Sequence, residues 1–174
     1  MKLIWGILFL SSAAWSAGLQ GTLHERLSGY TVAAHAGGTF SKAPNTLDGF
    51  EESRQDGADI IETDIRLSKD GVVVISHDEI LDRWTNCKGP VRNLTWAQLK
   101  KCKYTLNGRT ISSFEDALKW SHGRVVINAE FKAPEVIPAT IALVQKYKAH
   151  EWTQIRRGKA IVHSFFARGI RQVG

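Results

Sequence analysis

The stretch Gly57-Ala58-Asp59-Ile60-Ile61-Glu62-Thr63-Asp64-Ile65-Arg66-Leu67-Ser68-Lys69-Asp70-Gly71-Val72-Val73-Val74-Ile75-Ser76-His77-Asp78 decides the fold. Its isoleucines and valines read as two strands, 59–67 and 72–77, separated by the turn at Lys69-Asp70-Gly71. Alternate side chains of a strand share a face, so Glu62 and Asp64 point the same way as two hard oxygen donors. The valine run then delivers His77 to a strand end. Paired carboxylates beside a histidine suit metal-assisted acid–base chemistry. For this stretch alone, a rim of solvated charges is an equally good account.

Working outward, the chain alternates strands and helices. A strand over 31–35 ends at His35. A helix over 46–55 buries Leu47 and Phe50 and stops at Gly57. Helices are expected near 95–103, where Thr95-x-x-Gln98 forms a capping box, and over 113–121, opened by Ser113. Strand 124–131, helix 135–148 and strand 160–164 complete the series. Such alternation predicts an α/β fold with a parallel sheet. The link between strands 59–67 and 72–77 is the odd one. Parallel neighbours need a crossover of about a dozen residues or more. A stretched return and an antiparallel pair both remain open, and both bring His77 near Glu62 and Asp64. Glu130 and Lys132 share a face of strand 124–131, so Glu62, Asp64 and Glu130 are candidate ligands. Their oxygen-only chemistry fits Ca²⁺ or Mg²⁺ better than zinc.

Further motifs surround this core. They are Val32-Ala33-Ala34-His35-Ala36-Gly37-Gly38, Ala43-Pro44-Asn45-Thr46-Leu47, His77-Asp78-Glu79-Ile80-Leu81-Asp82-Arg83-Trp84-Thr85-Asn86, and Asn128-Ala129-Glu130-Phe131-Lys132. Together with the opening stretch they resemble the glycerophosphodiester phosphodiesterase family. Its pattern runs H-R-G-G, P-E-N-T, G-A-D-x-I-E-x-D, H-D-x-x-L-D-R-T-T-N and I-E-x-K. The resemblance implies a (β/α)8 TIM-type barrel with a short, irregular return between the second and third strands. Such barrels take about 250 residues. Only about the first five βα units are expected here, so a truncated barrel is the reading, with a half-barrel closed by a second copy as the alternative. Exposed sheet edges would then favour self-association.

The resemblance implies hydrolysis of a small-molecule glycerophosphodiester to glycerol 3-phosphate and an alcohol. It implies Glu62, Asp64 and Glu130 as ligands of Ca²⁺ or Mg²⁺. His35 would be general base and His77 general acid, the substrate's own glycerol hydroxyl attacking phosphorus. The residues alone do not say which histidine plays which part. Lys132 would lend charge to the phosphate, and Asn45 would either bind the phosphate or hold its loop. The pattern breaks at two places: Ala36 stands where the family has arginine, and Pro44 where it has glutamate. An inactive or truncated homologue acting as a binding protein is therefore the alternative, as is a related lipid phosphodiesterase.

The 174 residues are 43% hydrophobic, enough for one domain with a real core. Residues 1–17 read as a signal peptide, with Lys2 before an apolar core and a small-residue stretch. The remaining 18–174 form the partial phosphodiesterase domain. The apolar run falls short of the ~20 residues of a spanning helix, so a periplasmic or secreted protein without a stable membrane span is expected. The net charge of +6 is scattered, and no recognition motif supports a nucleic-acid partner. In an oxidising compartment Cys87 and Cys102 would be free to form a disulfide; two free thiols are the alternative. His163 is read as a bystander, His24, His122 and His150 as solvated, and Trp84, Trp96, Trp120 and Trp152 as packing residues.

Overall fold

Strand β2, Ile60–Leu67, is the axis of the sheet. The computed structural model describes residues 32–38, 44–151, 153–157, 161–166 and 169–170. Residues 1–17, expected to be a signal peptide, lie outside the described residues, as do His24 and Trp152. β1, Ala33–Ala34, runs parallel to the start of β2, with Ala33 opposite Ile60. β3, Val73–Ile75, pairs antiparallel with its end, Ile65 opposite Ile75. Of the two returns open from sequence, the antiparallel pair is therefore the observed one. The other edge of β2 pairs in parallel with β4, Val126–Phe131, and β4 pairs in parallel with β5, Thr153–Arg157.

β6, Ile161–Phe166, then lies antiparallel on β5, and β7, Gly169–Ile170, antiparallel on β6. This corrects the expected strand order. The parallel neighbour of β4 is not the 160–164 segment but Thr153–Arg157, whose largely polar sequence disguises it. Three residues separate Arg157 from Ile161. So short a link permits a hairpin and not a helical crossover.

The helices sit where capping chemistry starts them. In α1, Leu47–Gln55, Thr46 accepts from the Gly49 amide. Thr95 and Gln98 close a capping box on α2, Trp96–Leu99. Ser113 caps α3, Phe114–Ser121, by accepting from the Asp116 amide. α4, Ile137–Lys146, grows from a 3₁₀ turn at Pro134–Val136. α2 is shorter than the expected 95–103, because the chain turns out of the helix to place Cys102 against Cys87.

Two apolar cores result. One packs Ile61, Ile65 and Ile127 of the sheet against Phe50, Phe114 and Leu118 of the helices. The other lies beneath the excursion between β3 and α3 and gathers Val74, Leu81, Val91, Leu99, Cys102 and Ile111. The excursion is stapled by a Cys87–Cys102 disulfide, 15 residues apart in sequence. Close packing also dictates Gly37: its φ is +63°, and a Cβ there would stand 2.0 Å from the Phe50 ring. Only glycine fits such a left-handed position against an aromatic wall. Among the described residues no helix is long and apolar enough to cross a membrane.

Replacing both Cys87 and Cys102 by serine is expected to lower unfolding free energy by roughly 2–4 kcal/mol. Urea denaturation monitored by tryptophan fluorescence measures this. An unchanged midpoint would mean that the second core holds the excursion without the staple.

Candidate active site

Parallel register builds the centre of the site. Asp64 stands opposite Glu130, and Glu62 opposite Asn128. Adjacent strands lie about 4.8 Å apart, so these side chains crowd onto one face. Carboxylate oxygens of Glu62, Asp64 and Glu130 all lie within 4.8 Å of one another. Lys132 enters the same cluster, its Nζ 2.9 Å from Asp64 Oδ1 and 2.9 Å from Glu130 Oε1. Burial alone would lower the lysine pKa; the hydrogen bonds to Glu130 and Asp64 outweigh that and raise it. Three carboxylates and one ammonium leave two negative charges in a largely buried space. A hard dication with oxygen donors matches both the charge and the donor type. The buried Asn128 Oδ1 adds a further oxygen on that face, with no hydrogen-bond partner among the described residues. The donor set thus fits Ca²⁺ or Mg²⁺.

Several groups hold the carboxylates in place. The Ala36 amide donates to Glu62 Oε2 at 2.8 Å. Asn45 Nδ2 donates to Asp64 Oδ2 at 3.0 Å, while its Oδ1 accepts from Thr63 Oγ1 at 2.8 Å and the Asp64 amide at 3.1 Å. These bonds tie the Asn45 loop to β2. The φ of 60° at Asn45 explains the residue type, since asparagine tolerates the left-handed region. Pro44 precedes it where the family motif has glutamate.

The histidines approach from two sides. His35 leaves β1 in a 3₁₀ turn, His35–Gly37, and its Nε2 lies 4.0 Å from Glu62 Oε2. Its side chain is 86% exposed, against 6% for Glu62. His77 follows β3, and its Nδ1 lies 2.6 Å from Asp78 Oδ1. Burial would raise the Asp78 pKa; hydrogen bonds from His77 and from Trp84 Nε1, the latter 2.8 Å from Oδ2, lower it. An ionised carboxylate only accepts, so His77 donates from Nδ1. Two contributors were passed over in the sequence. Arg66 donates from Nε and Nη2 to the His77 carbonyl at 3.0 and 2.8 Å, anchoring that histidine's backbone. Asn128 is the other, and its place two residues before Glu130 was the available signal.

The remaining readings fall out as follows. Of His163 only the strand backbone is described, opposite Ile155. Trp120 packs its ring 5.7 Å from Phe50, as a packing residue should. Trp84 is instead 45% exposed beside the site.

Known proteins resemble this chain in sequence and in fold. The sequence model of the Glycerophosphoryl diester phosphodiesterase family matches residues 35–172. A "Probable glycerophosphodiester phosphodiesterase 2" of Mycobacterium tuberculosis is 32% identical over 126 residues, 72% of this chain and 47% of that protein. A "Probable glycerophosphodiester phosphodiesterase 1" of the same species is 31% identical over 86% of this chain and 62% of its own length. The chain therefore spans only about half to three-fifths of these relatives. A glycerophosphodiester phosphodiesterase structure from Agrobacterium tumefaciens superposes with a TM-score of 0.70 at 29% identity, covering 75% of this chain and 59% of that one. A phosphodiesterase of Oleispira antarctica, solved with the product sn-glycerol-3-phosphate, gives 0.63 at 28% identity, over 68% of this chain and 53% of the other. The fold is accordingly α/β of the (β/α)8-barrel type, with part of that barrel present.

Because its folded pKa is raised, Lys132 contributes stability that is complete below its ordinary value of 10.5 and is lost as pH rises through the folded value. Lys132→Met should flatten the alkaline limb of the stability–pH profile above about pH 10. Thermal melts from pH 8 to about 12 test this; parallel alkaline limbs in both proteins would refute the ion-pair assignment.

Proposed function

The chain belongs to the glycerophosphoryl diester phosphodiesterase family, and from that premise we propose that it hydrolyses glycerophosphodiesters to glycerol 3-phosphate and an alcohol. The observation that carries this reading is the convergence of three carboxylates on one sheet face, flanked by two strand-end histidines. Glu62, Asp64 and Glu130 would hold Ca²⁺ or Mg²⁺, which supplies charge neutralisation at the phosphate oxygens. Lys132, already between two of those carboxylates, would add a point charge to the same phosphate.

His35 acts as base and takes the proton of the glycerol hydroxyl that attacks phosphorus. His77 Nε2, aimed by the Asp78 contact at Nδ1, returns a proton to the departing alcohol oxygen. Water then opens the cyclic phosphate, so one water is consumed and glycerol 3-phosphate and the alcohol are released. The product bound to the Oleispira antarctica protein supports this substrate class. The disulfide supports an oxidising compartment, and with it the periplasmic or secreted location. A non-catalytic phosphodiester-binding protein is the second reading. Ala36 favours it, for an alanine side chain cannot grip a phosphate as the family's arginine would.

Calorimetry should show Ca²⁺ or Mg²⁺ binding by the wild-type chain that disappears in a Glu62→Ala/Asp64→Ala double variant. Equal binding by both would remove the metal assignment. With metal present, His35→Ala and His77→Ala should each lower turnover of glycerophosphocholine by about 10²–10⁴-fold. Activity surviving both changes would sink the two-histidine mechanism. No turnover by a folded, metal-loaded wild type would favour the binding-protein reading.

A further inference from the structure

We propose that the apolar cavity beside the carboxylate centre receives an acyl chain, so that the preferred substrate is a single-chain glycerophosphodiester of the lysophospholipid class. The proposal rests on the phosphodiesterase reading above and deepens it. The cavity measures about 370 Å³ and opens on His35 and His77. That size lies within the range of small-molecule sites. Its far wall is made by Ile80, Trp84, Tyr104 and Leu106. Ile80, Trp84 and Leu106 are 47%, 45% and 65% exposed, three of the four exposed large hydrophobics among the described residues. Their gathering at the mouth of one reactive site, and not at scattered points, marks a surface that an apolar ligand would cover.

The competing occupant is a quaternary ammonium headgroup, and charge argues against it. Such a cation needs a free aromatic face or an uncompensated carboxylate. The Trp84 ring already carries the Arg83 guanidinium, 4.6 Å from its centroid. Asp78 has one oxygen bonded to His77 and the other to Trp84. Arg83 itself lines the cavity and adds positive charge. An uncharged hydrocarbon meets neither repulsion. An adjoining cavity shares His77, Asp78, Ile80 and Arg83 and is lined further by Arg66 and Lys132 and by the carboxylates of Glu79 and Asp82. A phosphate at the carboxylate centre beside Lys132 and a tail against the apolar wall is the arrangement an amphiphile needs.

The wall is preformed. Thr85 pairs with Tyr104 as an antiparallel bridge, and the Thr105 amide donates to the Trp84 carbonyl at 2.9 Å. The Cys87–Cys102 disulfide ties the same two segments together one step further out. A rigid apolar wall loses little conformational freedom on binding, which favours affinity.

The test compares octanoyl lysophosphatidylcholine, kept below its micellar concentration, with glycerophosphocholine by calorimetry on the metal-loaded chain. The two probes differ only in the acyl chain. Each methylene removed from water strengthens binding by about fourfold, so the acylated probe should bind roughly tenfold to a hundredfold tighter even when partly buried. Leu106→Asp and Trp84→Ala should each move the affinity ratio toward one. Equal affinities, a preference for glycerophosphocholine, or a ratio unchanged in both variants would overturn the acyl-chain proposal and leave the phosphodiesterase reading standing. Binding of neither probe by folded protein would overturn both.

Discussion

The structure turns on the parallel pairing of β2 with β4, which sets Asp64 beside Glu130 with Glu62 two residues behind. Two carboxylates about 4 Å apart repel by about 4 kcal/mol at an effective dielectric constant near 20. Three of them cannot be buried together without compensation. Lys132 supplies part of it, bonded to two of the three. The Ala36 amide and the Asn45 carboxamide supply more by donating to the oxygens. What remains is a net negative pocket, so a cation bound there would be coupled energetically to the fold. The same crowding that a purely structural core would avoid is what a metal centre requires.

Everything around that pairing serves to keep it in register. Ile61 and Ile65 alternate with Glu62 and Asp64 on β2, and they bury against Phe50, Phe114 and Leu118 while the acids face the other way. A slip of one residue would exchange the two sets, placing carboxylates among phenylalanines. The hydrophobic core therefore fixes the geometry of the acidic face, although it touches none of the chemistry. The turn after β1 follows from the same packing. Gly37 lets the chain pass the Phe50 ring, and the preceding Ala36 amide thereby reaches Glu62.

Much of this was legible because strand periodicity is local. Glu62 and Asp64 share a face by alternation alone, and Thr46, Thr95 and Ser113 announce helix starts through their own hydroxyls. The family motifs supplied Glu130, His35 and His77 as long-range partners, and the fold brings Glu130 into the acidic cluster and His35 to within 4.0 Å of Glu62. What stayed hidden depends on tertiary context. β5 carries Gln154, Arg156 and Arg157, a polar run that reads as a loop until β4 offers a parallel edge. Arg66 reads as a solvated strand residue, and only the return through β3 brings the His77 carbonyl to it. Trp84 reads as packing, yet its indole N–H is spent on Asp78 and its ring stands at the cavity mouth.

The excursion between β3 and α3 shows why a site of this kind benefits from a second core. A loop of that length tethered only at its ends would lose much conformational entropy on ordering. Val74, Leu81, Val91, Leu99 and Ile111 offset that loss with burial of their own, and the disulfide limits the freedom of the unfolded segment. Apolar side chains can then stay exposed at the cavity mouth without collapsing inward, because the chain beneath them is already filled. The acidic centre and the apolar wall are thus stabilised independently. One is held by sheet register and charge, the other by a small core and a covalent tie. They meet at His77, Asp78, Ile80 and Arg83, which line both cavities. Substitutions in the wall can therefore change what is bound beside the phosphate without disturbing the carboxylates that face it.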